Sequence, residues 1–151
     1  MHYLEIPQET VVLLGGISNT RLWCGINDNP PFQCGLAPLG EGRAYISINV
    51  RRMESSRLAE GDLVRVNLTR DDSAYGMDMP EELRELLNQD AEADRRFHAL
   101  TPGKQRNIIY YVSQVKNAQK RIERALMLME NLRNLPEGKE TVRALLLGPG
   151  A

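Results

Sequence analysis

The chain has 151 residues, of which 42% are hydrophobic, so it can bury a core without the help of disulfides or metals. Its formal net charge is −1, with 19 basic and 20 acidic side chains, which argues against wholesale binding to nucleic acid or to a membrane surface. The opening MHYLEIPQET lacks the pattern of a secretory signal, and no apolar run approaches the roughly 18 residues of a membrane span, so we expect a cytoplasmic protein without membrane insertion.

The first half of the chain has the pattern of short strands joined by turns. Clusters of proline, glycine and asparagine separate segments in which apolar and polar side chains alternate. Five or six strands at this spacing predict a small β-barrel. Strands are predicted over residues 4–6, 20–26, 32–36, 43–50 and 63–68, with helical turns over 8–14 and a closing strand over 75–79.

A turn-forming run, NDNPP at 27–31, joins two of these strands as a hairpin. A loop centred on Asn29 places Cys24 directly opposite Cys34, with both sulfurs on the apolar face. Two interpretations of these thiols are open: a redox pair, or buried thiols that act as small hydrophobic residues in a reducing compartment. Two cysteines are too few for a tetrahedral metal site, so we expect no metal and no cofactor.

The second half of the chain is predicted to be helical. Pro80 and Asp90 begin two short acidic helices, and Thr101 with Pro102 begins a long helix that continues to Leu132. At about 100° per residue, the long helix has an apolar face, expected in the core, and a basic face opposite it. The apolar face consists of Ile108, Val112, Val115, Ile122, Leu126 and Met129, and the basic face of Arg106, Lys116, Lys120, Arg121 and Arg124.

These patterns predict three segments along the chain. We expect a β-barrel domain over 1–76, a helical module over 77–133, and a tail over 134–151 that is partly ordered or disordered. A short helix is predicted within the tail, over 140–147. The predicted fold class is therefore α+β.

Several motifs follow one another in a specific order. They are EIP at 5–7, PFQCGLAPLGEGRAYISI at 31–48, the arginine pair at 51–52, EGDLVRVNL at 60–68, MDMPEELRELL at 77–87, FHALTPGKQRNIIYYV at 97–112 and KRIER at 120–124. With these motifs, the chain from residue 3 to residue 133 resembles a bacterial two-part family, in which a small barrel domain of unknown function precedes the bacteriocin-protection, YdeI/OmpD-associated C-terminal module. The resemblance implies a split, AbrB-like β-barrel with a C-terminal helical module and no established catalytic residues.

Three features depart from the pattern of that family. The chain starts almost at the EIP strand, which predicts a barrel with an unpaired edge. The hairpin loop at 26–32 is longer than the usual turn of the family. Val115 and Lys120 stand where relatives carry alanine and threonine, which weakens the expectation of a helix break near Asn117.

The basic face of the long helix is the main candidate site. Lys116, Lys120 and Arg124 repeat every four residues, and Arg121 lies beside them. Arg106 is on the same face, nearer the start of the helix. A phosphate, a nucleic-acid backbone or an acidic protein surface could therefore meet several cations at once. The open alternative is a solvated face, or a face paired with carboxylates of the acidic helices, namely Glu81, Glu85, Glu92 and Asp94.

A smaller candidate is the turn GEGR at 40–43. Its glycines allow backbone amides to approach an anion, and Arg43 would complete the contact. The alternative is an ordinary hairpin turn, since the strand–turn–helix setting of a phosphate loop is missing. The sequence has no motif of a nucleophilic enzyme or a metalloprotease, and it offers His98 no partner for acid–base chemistry.

We therefore expect a non-enzymatic binding or stress-tolerance protein that engages an anionic ligand or a protein partner. The resemblance implies tolerance of bacteriocins or cationic peptides, which is a phenotype and not a molecular activity. The alternatives are a DNA-binding dimer of the AbrB-like barrel, with Arg51, Arg52 and Arg57 as phosphate contacts, and an enzyme of unknown type. The unpaired edge and the apolar tail at 145–147 favour a homodimer.

Overall fold

The computed structural model describes residues 1–150 and divides the chain into two compact units, Met1–Gly76 and Met77–Ala151. Within residues 1–150, the first unit contains six strands and two short helices, and the second contains five helices. The α+β class predicted from the sequence is confirmed. In the same range, no helix has both the length and the apolar character needed to cross a membrane.

The strands of the first unit form two separate three-stranded antiparallel sheets. Its elements in chain order are β1 (His2–Ile6), α1 (Gln8–Leu13), β2 (Arg21–Ile26), β3 (Phe32–Gly35), β4 (Ala37–Gly40), β5 (Arg43–Ile48), α2 (Val50–Ser55) and β6 (Val66–Arg70). One sheet has the strand order β1-β5-β4 and the other β3-β2-β6, which makes β1 an edge strand. In the part of the chain that the structure describes, no ladder joins the two sheets, so the predicted closed barrel is not found.

A turn takes the place of the closing strand predicted over 75–79, and this prediction is wrong. Gly76 has φ 74°, in the left-handed region, and its N–H donates to Oγ of Ser73 at 3.1 Å. The Gly76 carbonyl accepts a hydrogen bond from Nη2 of Arg21 at 2.9 Å. Because these bonds hold the backbone in a turn, this segment adds no strand to either sheet.

Alternate residues of β2 and β5 supply most of the core of the first unit. The strand β5 ends at Ile48, before the predicted end, because the Asn49 side chain accepts the N–H of Arg52 at 2.8 Å and caps α2. The buried core consists of Ile6, Val11, Cys24, Ile26, Ala44, Ile46 and Ile48.

The hairpin of β2 and β3 has a longer loop than the sequence predicted. Cys24 pairs with Phe32, and Leu22 pairs with Cys34. The two cysteines are therefore diagonal neighbours on one face of the sheet instead of direct partners. A physical reason is the Pro30–Pro31 pair, which lacks the N–H groups that would extend the ladder toward the turn.

The second unit is helical, and side-chain caps mark the starts of four of its five helices within residues 77–150. The elements are α3 (Glu81–Gln89), α4 (Ala91–Ala99), α5 (Pro102–Ser113), α6 (Ala118–Asn134) and α7 (Val142–Leu147). Asp90, Thr101, Asn117 and Thr141 each accept a backbone N–H from the residue three positions later. The helix α7 lies within the predicted tail, and its Leu145 is buried.

The long helix predicted over 100–132 is interrupted, so the prediction of one continuous helix is wrong. Residues 114–117 connect α5 to α6, and Val115 in this connection is half-buried. The Asn117 side chain accepts the N–H of Lys120 at 3.0 Å, which starts a new helix there. The helix break of the resembling family is thus present, although Val115 and Lys120 depart from its pattern.

The interruption changes which apolar residues of α6 reach the core, because the connection shifts the phase of the helical pattern. Ile108, Val112 and Met129 are buried as predicted. Ile122 and Leu126, also predicted for the core, are 39% and 52% exposed. The buried residues of α6 are Ala125, Leu128, Met129 and Leu132.

Candidate functional site

A groove of about 420 Å³ lies between α3 and α6 in the second unit. Its apolar lining consists of Leu86 from α3 and of Ile122, Ala125 and Leu126 from α6. Two of these side chains, Ile122 and Leu126, are exposed. Contiguous apolar surface that stays exposed on a folded chain is characteristic of binding surfaces.

The groove arises from the spacing of apolar residues on the two helices. Leu83 and Leu87 of α3 are four positions apart and buried, whereas Leu86 between them is half-buried. On α6, Ala125 is buried but its methyl group fills little volume. The larger Ile122 and Leu126 lie beside Ala125 on the helix surface, so an open apolar channel remains between the two helices.

Carboxylates surround the apolar lining of the α3–α6 groove. Three of them belong to α3 and line the groove itself. Two more, on α6, are exposed at positions three before and four after Leu126, which places them on its side of the helix. These residues are Glu81, Glu82 and Glu85 of α3, and Glu123 and Glu130 of α6.

Arg121 binds one of these carboxylates, Glu82. Its Nη2 lies 2.9 Å from Oε1 of Glu82, and its Nε donates to the same oxygen at 3.0 Å. The hydrogen bond from Arg121 is the main cause that holds the pKa of Glu82 below its ordinary value. Arg121 also donates to the carbonyls of Val115 at 3.1 Å and Lys116 at 2.6 Å, so it fastens the α5–α6 connection to α3.

Arg124 likewise bonds within the second unit. Its Nη1 donates to the carbonyl of Tyr111 at 2.8 Å, and its guanidinium carbon lies 4.1 Å from the centroid of the Tyr111 ring. The last carbonyls of a helix lack partners within the helix and carry partial negative charge. Arg121 and Arg124 therefore stabilise the end of α5 and the connection that follows it.

The other residues of the predicted basic face are less engaged. Lys116 and Lys120 are exposed, and neither forms an ion pair with any residue in 1–150, whereas Arg106 is half-buried on α5. The carboxylate that pairs with this face is Glu82, which was not among the four partners named from the sequence. Of those four, Glu81 is paired with Arg84, Glu92 with Arg95, and Asp94 with His98.

Arg43, the cation of the second predicted site, is the first residue of β5, directly after the hairpin turn that follows β4. Its Nη1 donates to Oε1 of Glu5 on the neighbouring strand at 2.6 Å, and its Nε donates to the carbonyl of Gly40 at 3.3 Å. Arg43 is thus held in a cross-strand ion pair. Of the arginines in the DNA-binding hypothesis, Arg51 and Arg57 are exposed.

The sequence reasoning missed the α3–α6 groove because it placed Ile122 and Leu126 in the core. The signal that could have found the groove is Asn117, a favourable N-cap that precedes Lys120 by three positions. A helix restarted at Asn117 would have turned these two residues toward the surface. Among residues 1–150, no cluster of three or more His, Cys, Asp or Glu side chains could hold a metal ion.

Comparison with known protein families agrees with the two units. Residues 1–68 match the family model described as Domain of unknown function (DUF1905). Residues 76–134 match the model described as Bacteriocin-protection, YdeI or OmpD-Associated. No curated protein and no solved structure matches the chain. The resemblance seen in the sequence is therefore confirmed: the chain joins a segment that matches the DUF1905 model to a segment that matches the YdeI or OmpD-associated, bacteriocin-protection model.

Proposed function

We propose that this chain is a non-enzymatic binding protein whose α3–α6 groove takes a cationic, amphipathic segment of a protein partner. The observation that carries the proposal is the exposure of Ile122 and Leu126 beside a ring of glutamates. An amphipathic helix can lay its apolar side into such a groove while its basic side chains meet the surrounding carboxylates. Charge complementarity then favours a basic partner over an acidic one.

The family match supports a partner of this kind. Its description names bacteriocin protection. A protein that captures a cationic peptide lowers the free concentration of that peptide, and so contributes to protection without any catalytic step. The groove offers a physical basis for such capture.

Titration of the full chain with a fluorescent lysine–leucine peptide that forms an amphipathic helix tests the proposal. We expect binding that weakens as salt rises, because salt screens the attraction between exposed charges. The controls are a lysine–leucine peptide of scrambled order and a glutamate–leucine peptide that keeps the apolar pattern. Equal affinity for all three peptides would remove the proposal.

Variants of the groove locate the binding surface. Leu126→Ser should weaken binding by about tenfold or more, because a buried leucine contributes roughly 1.5–3 kcal/mol. Leu147→Ser is a matched control, since Leu147 is 64% exposed on α7 and does not line the groove. If Leu126→Ser binds the peptide as tightly as Leu147→Ser does, the groove is not the site.

The exposed Lys116 and Lys120 support a second candidate, an anionic ligand at the basic face. Their ammonium groups lie four positions apart and keep their charge uncompensated by ion pairs within residues 1–150. Arg121 contributes less to this surface, because Glu82 already balances its charge. This candidate is weaker than the groove, since only two of the predicted cations remain fully available.

A further inference from the structure

One cysteine, Cys34, and two arginines of the first unit line a second hollow. It has a volume of about 450 Å³, and its lining includes Arg21 of β2, Cys34 of β3 and Arg52 of α2. Cys24 belongs to the buried core, and Cys34 packs against that core while it lines the hollow. The hollow therefore gives solvent molecules access to one sulfur and not to the other.

The two thiols lie on one face of the sheet and differ in exposure. Cys24 is 0% exposed, whereas Cys34 is half-buried. A hydrogen bond to Cys34 raises the pKa of Cys24, and so does burial, which disfavours the charged form of a thiol.

The surroundings of Cys34 favour its thiolate. The hydrogen bond from Cys24 is the main cause that holds the pKa of Cys34 below its ordinary value, against partial burial, which raises it. The positive charges of Arg21 and Arg52 lower this pKa further, and the negative charge of Asp71 raises it. Low-pKa thiols that remain accessible and lie beside cations are the reactive ones in proteins.

Both arginines are held in place beside the hollow. The guanidinium carbon of Arg52 lies 3.7 Å from the centroid of the Phe32 ring. Nη2 of Arg21 donates to the carbonyl of Gly76 at 2.9 Å. Since both guanidinium groups are already in position, their positive electrostatic potential at the Cys34 sulfur is preorganised.

We propose that Cys34 is a redox-sensitive modification site, at which hydrogen peroxide oxidises the thiolate to a sulfenic acid. The sulfur attacks one oxygen of the peroxide, so an S–O bond forms and the O–O bond breaks. The sulfur loses two electrons, and the second oxygen leaves as hydroxide. The guanidinium groups of Arg21 and Arg52 stabilise the negative charge that develops on the leaving oxygen.

The strand register determines the product of this oxidation. Cys24 pairs with Phe32 and Cys34 with Leu22, so the cysteines are diagonal neighbours. Diagonal positions are about 7–8 Å apart, longer than the usual Cα separation of about 4.4–6.8 Å across a disulfide. The register therefore disfavours an internal disulfide, and we expect the sulfenic acid on Cys34 to persist.

Labelling of the full chain with dimedone during treatment with stoichiometric hydrogen peroxide tests the proposal. Mass spectrometry of the digested protein should show the dimedone adduct on Cys34 and none on Cys24. Alkylation of Cys34 by iodoacetamide at neutral pH should be about tenfold faster in the folded chain than in the urea-unfolded chain, because the thiolate fraction is larger. Equal rates, or an internal disulfide in place of the adduct, would overturn the proposal.

Four variants separate the role of the surroundings from a loss of structure. Arg52→Gln should slow oxidation and move the midpoint of the alkylation pH profile upward, whereas Arg51→Gln, on the exposed neighbour, should change neither. Cys24→Ala should also move the midpoint upward, and Cys24→Ser, which keeps a donor, should restore it. Arg52→Gln leaves the core intact, so an unchanged pH profile in that variant contradicts the proposal even if Cys24→Ala does not fold.

Discussion

Arg96 of α4 and Glu140 form a buried ion pair that joins residues 44 positions apart in the chain. Nη2 of Arg96 lies 3.0 Å from Oε1 of Glu140, and the two side chains are only 6% and 10% exposed. The same nitrogen donates to the carbonyl of Leu135 at 2.8 Å, and Oε2 of Glu140 accepts the N–H of Gly138 at 3.0 Å. The segment after α6 is thus fastened to α4 by charge as well as by packing.

We predict that Arg96→Met destabilises the chain by about 3 kcal/mol, because it leaves the Glu140 carboxylate buried without its cation. Urea unfolding followed by circular dichroism measures this loss. Arg95→Met is the matched control, since the partners of Arg95, Glu92 and Glu137, are half-exposed and solvent compensates for the lost pair. An equal loss in the two variants would show that burial of the Arg96 pair has no special effect.

The pH dependence of stability should also depend on Glu140. Burial raises the pKa of this carboxyl, but hydrogen bonds from its own N–H, from Arg96 and from Gly138 outweigh burial and hold the pKa below its ordinary value of 4.5. The native state therefore binds this proton less readily than the unfolded state does. The resulting stability is present above the ordinary pKa and is lost as the pH falls through the lowered native pKa.

We expect the free energy of unfolding to fall more steeply with acidification below about pH 4.5 in the wild type than in Glu140→Gln. Other paired carboxylates, such as Glu82 and Glu92, contribute equally in both chains and cancel in the comparison. Denaturant titrations at a series of acidic pH values give the two slopes. Parallel slopes would mean that Glu140 does not titrate differently in the folded state.

Asn117→Ala should destabilise the second unit by about 1 kcal/mol, because it removes the side-chain acceptor for the N–H of Lys120 at the start of α6. Asn117→Asp keeps an acceptor and should unfold close to the wild type. Chemical denaturation of both variants makes the comparison. A wild-type midpoint for Asn117→Ala would indicate that the connection between α5 and α6 needs no cap.

The basic face can be tested by separating its exposed lysines from its bonded arginines. Lys116→Glu with Lys120→Glu should abolish binding of inorganic triphosphate and leave the melting temperature nearly unchanged. Arg121→Glu with Arg124→Glu should lower the melting temperature as well, because these side chains satisfy carbonyls at the end of α5. If triphosphate binds equally well to all variants, the hypothesis of an anionic ligand at this face is wrong.

The homodimer expected from the sequence remains a prediction with a direct test. Multi-angle light scattering of the full chain should give twice the chain mass if the edge strand β1 or the exposed Leu147 is covered by a second copy. A monomer mass at the concentrations used for the binding experiments would exclude the dimer. If the chain is a dimer, the variant Leu147→Ser distinguishes the tail from the strand edge as the contact.

Features that depend on neighbouring residues were predictable from the sequence. The cap at Thr101 was recognised because an N-cap needs only a short polar side chain and the N–H three positions later. The hairpin that contains residues 27–31 was recognised in the same way. Local chemistry is sufficient for such elements, since the partners are close in sequence.

Features that depend on distant partners were not predictable. Closure of a barrel at 75–79 fails because Gly76 bonds to Arg21, which is 55 positions away. The surroundings of Cys34 were missed for the same reason, since Arg52 is not its neighbour in sequence. The sequence likewise did not show that Arg121 binds Glu82, which is 39 positions away.

The folded second unit extends beyond the family match, which ends at residue 134. Leu145 is 1% exposed, and its carbonyl accepts a hydrogen bond from Nδ2 of Asn131 at 2.8 Å. A fragment cut at the end of the match would lose this contact and would leave Arg96 without its counter-charge. A fragment that contains the helical module should therefore extend through Gly148, because the family match ends before the residues that complete the fold.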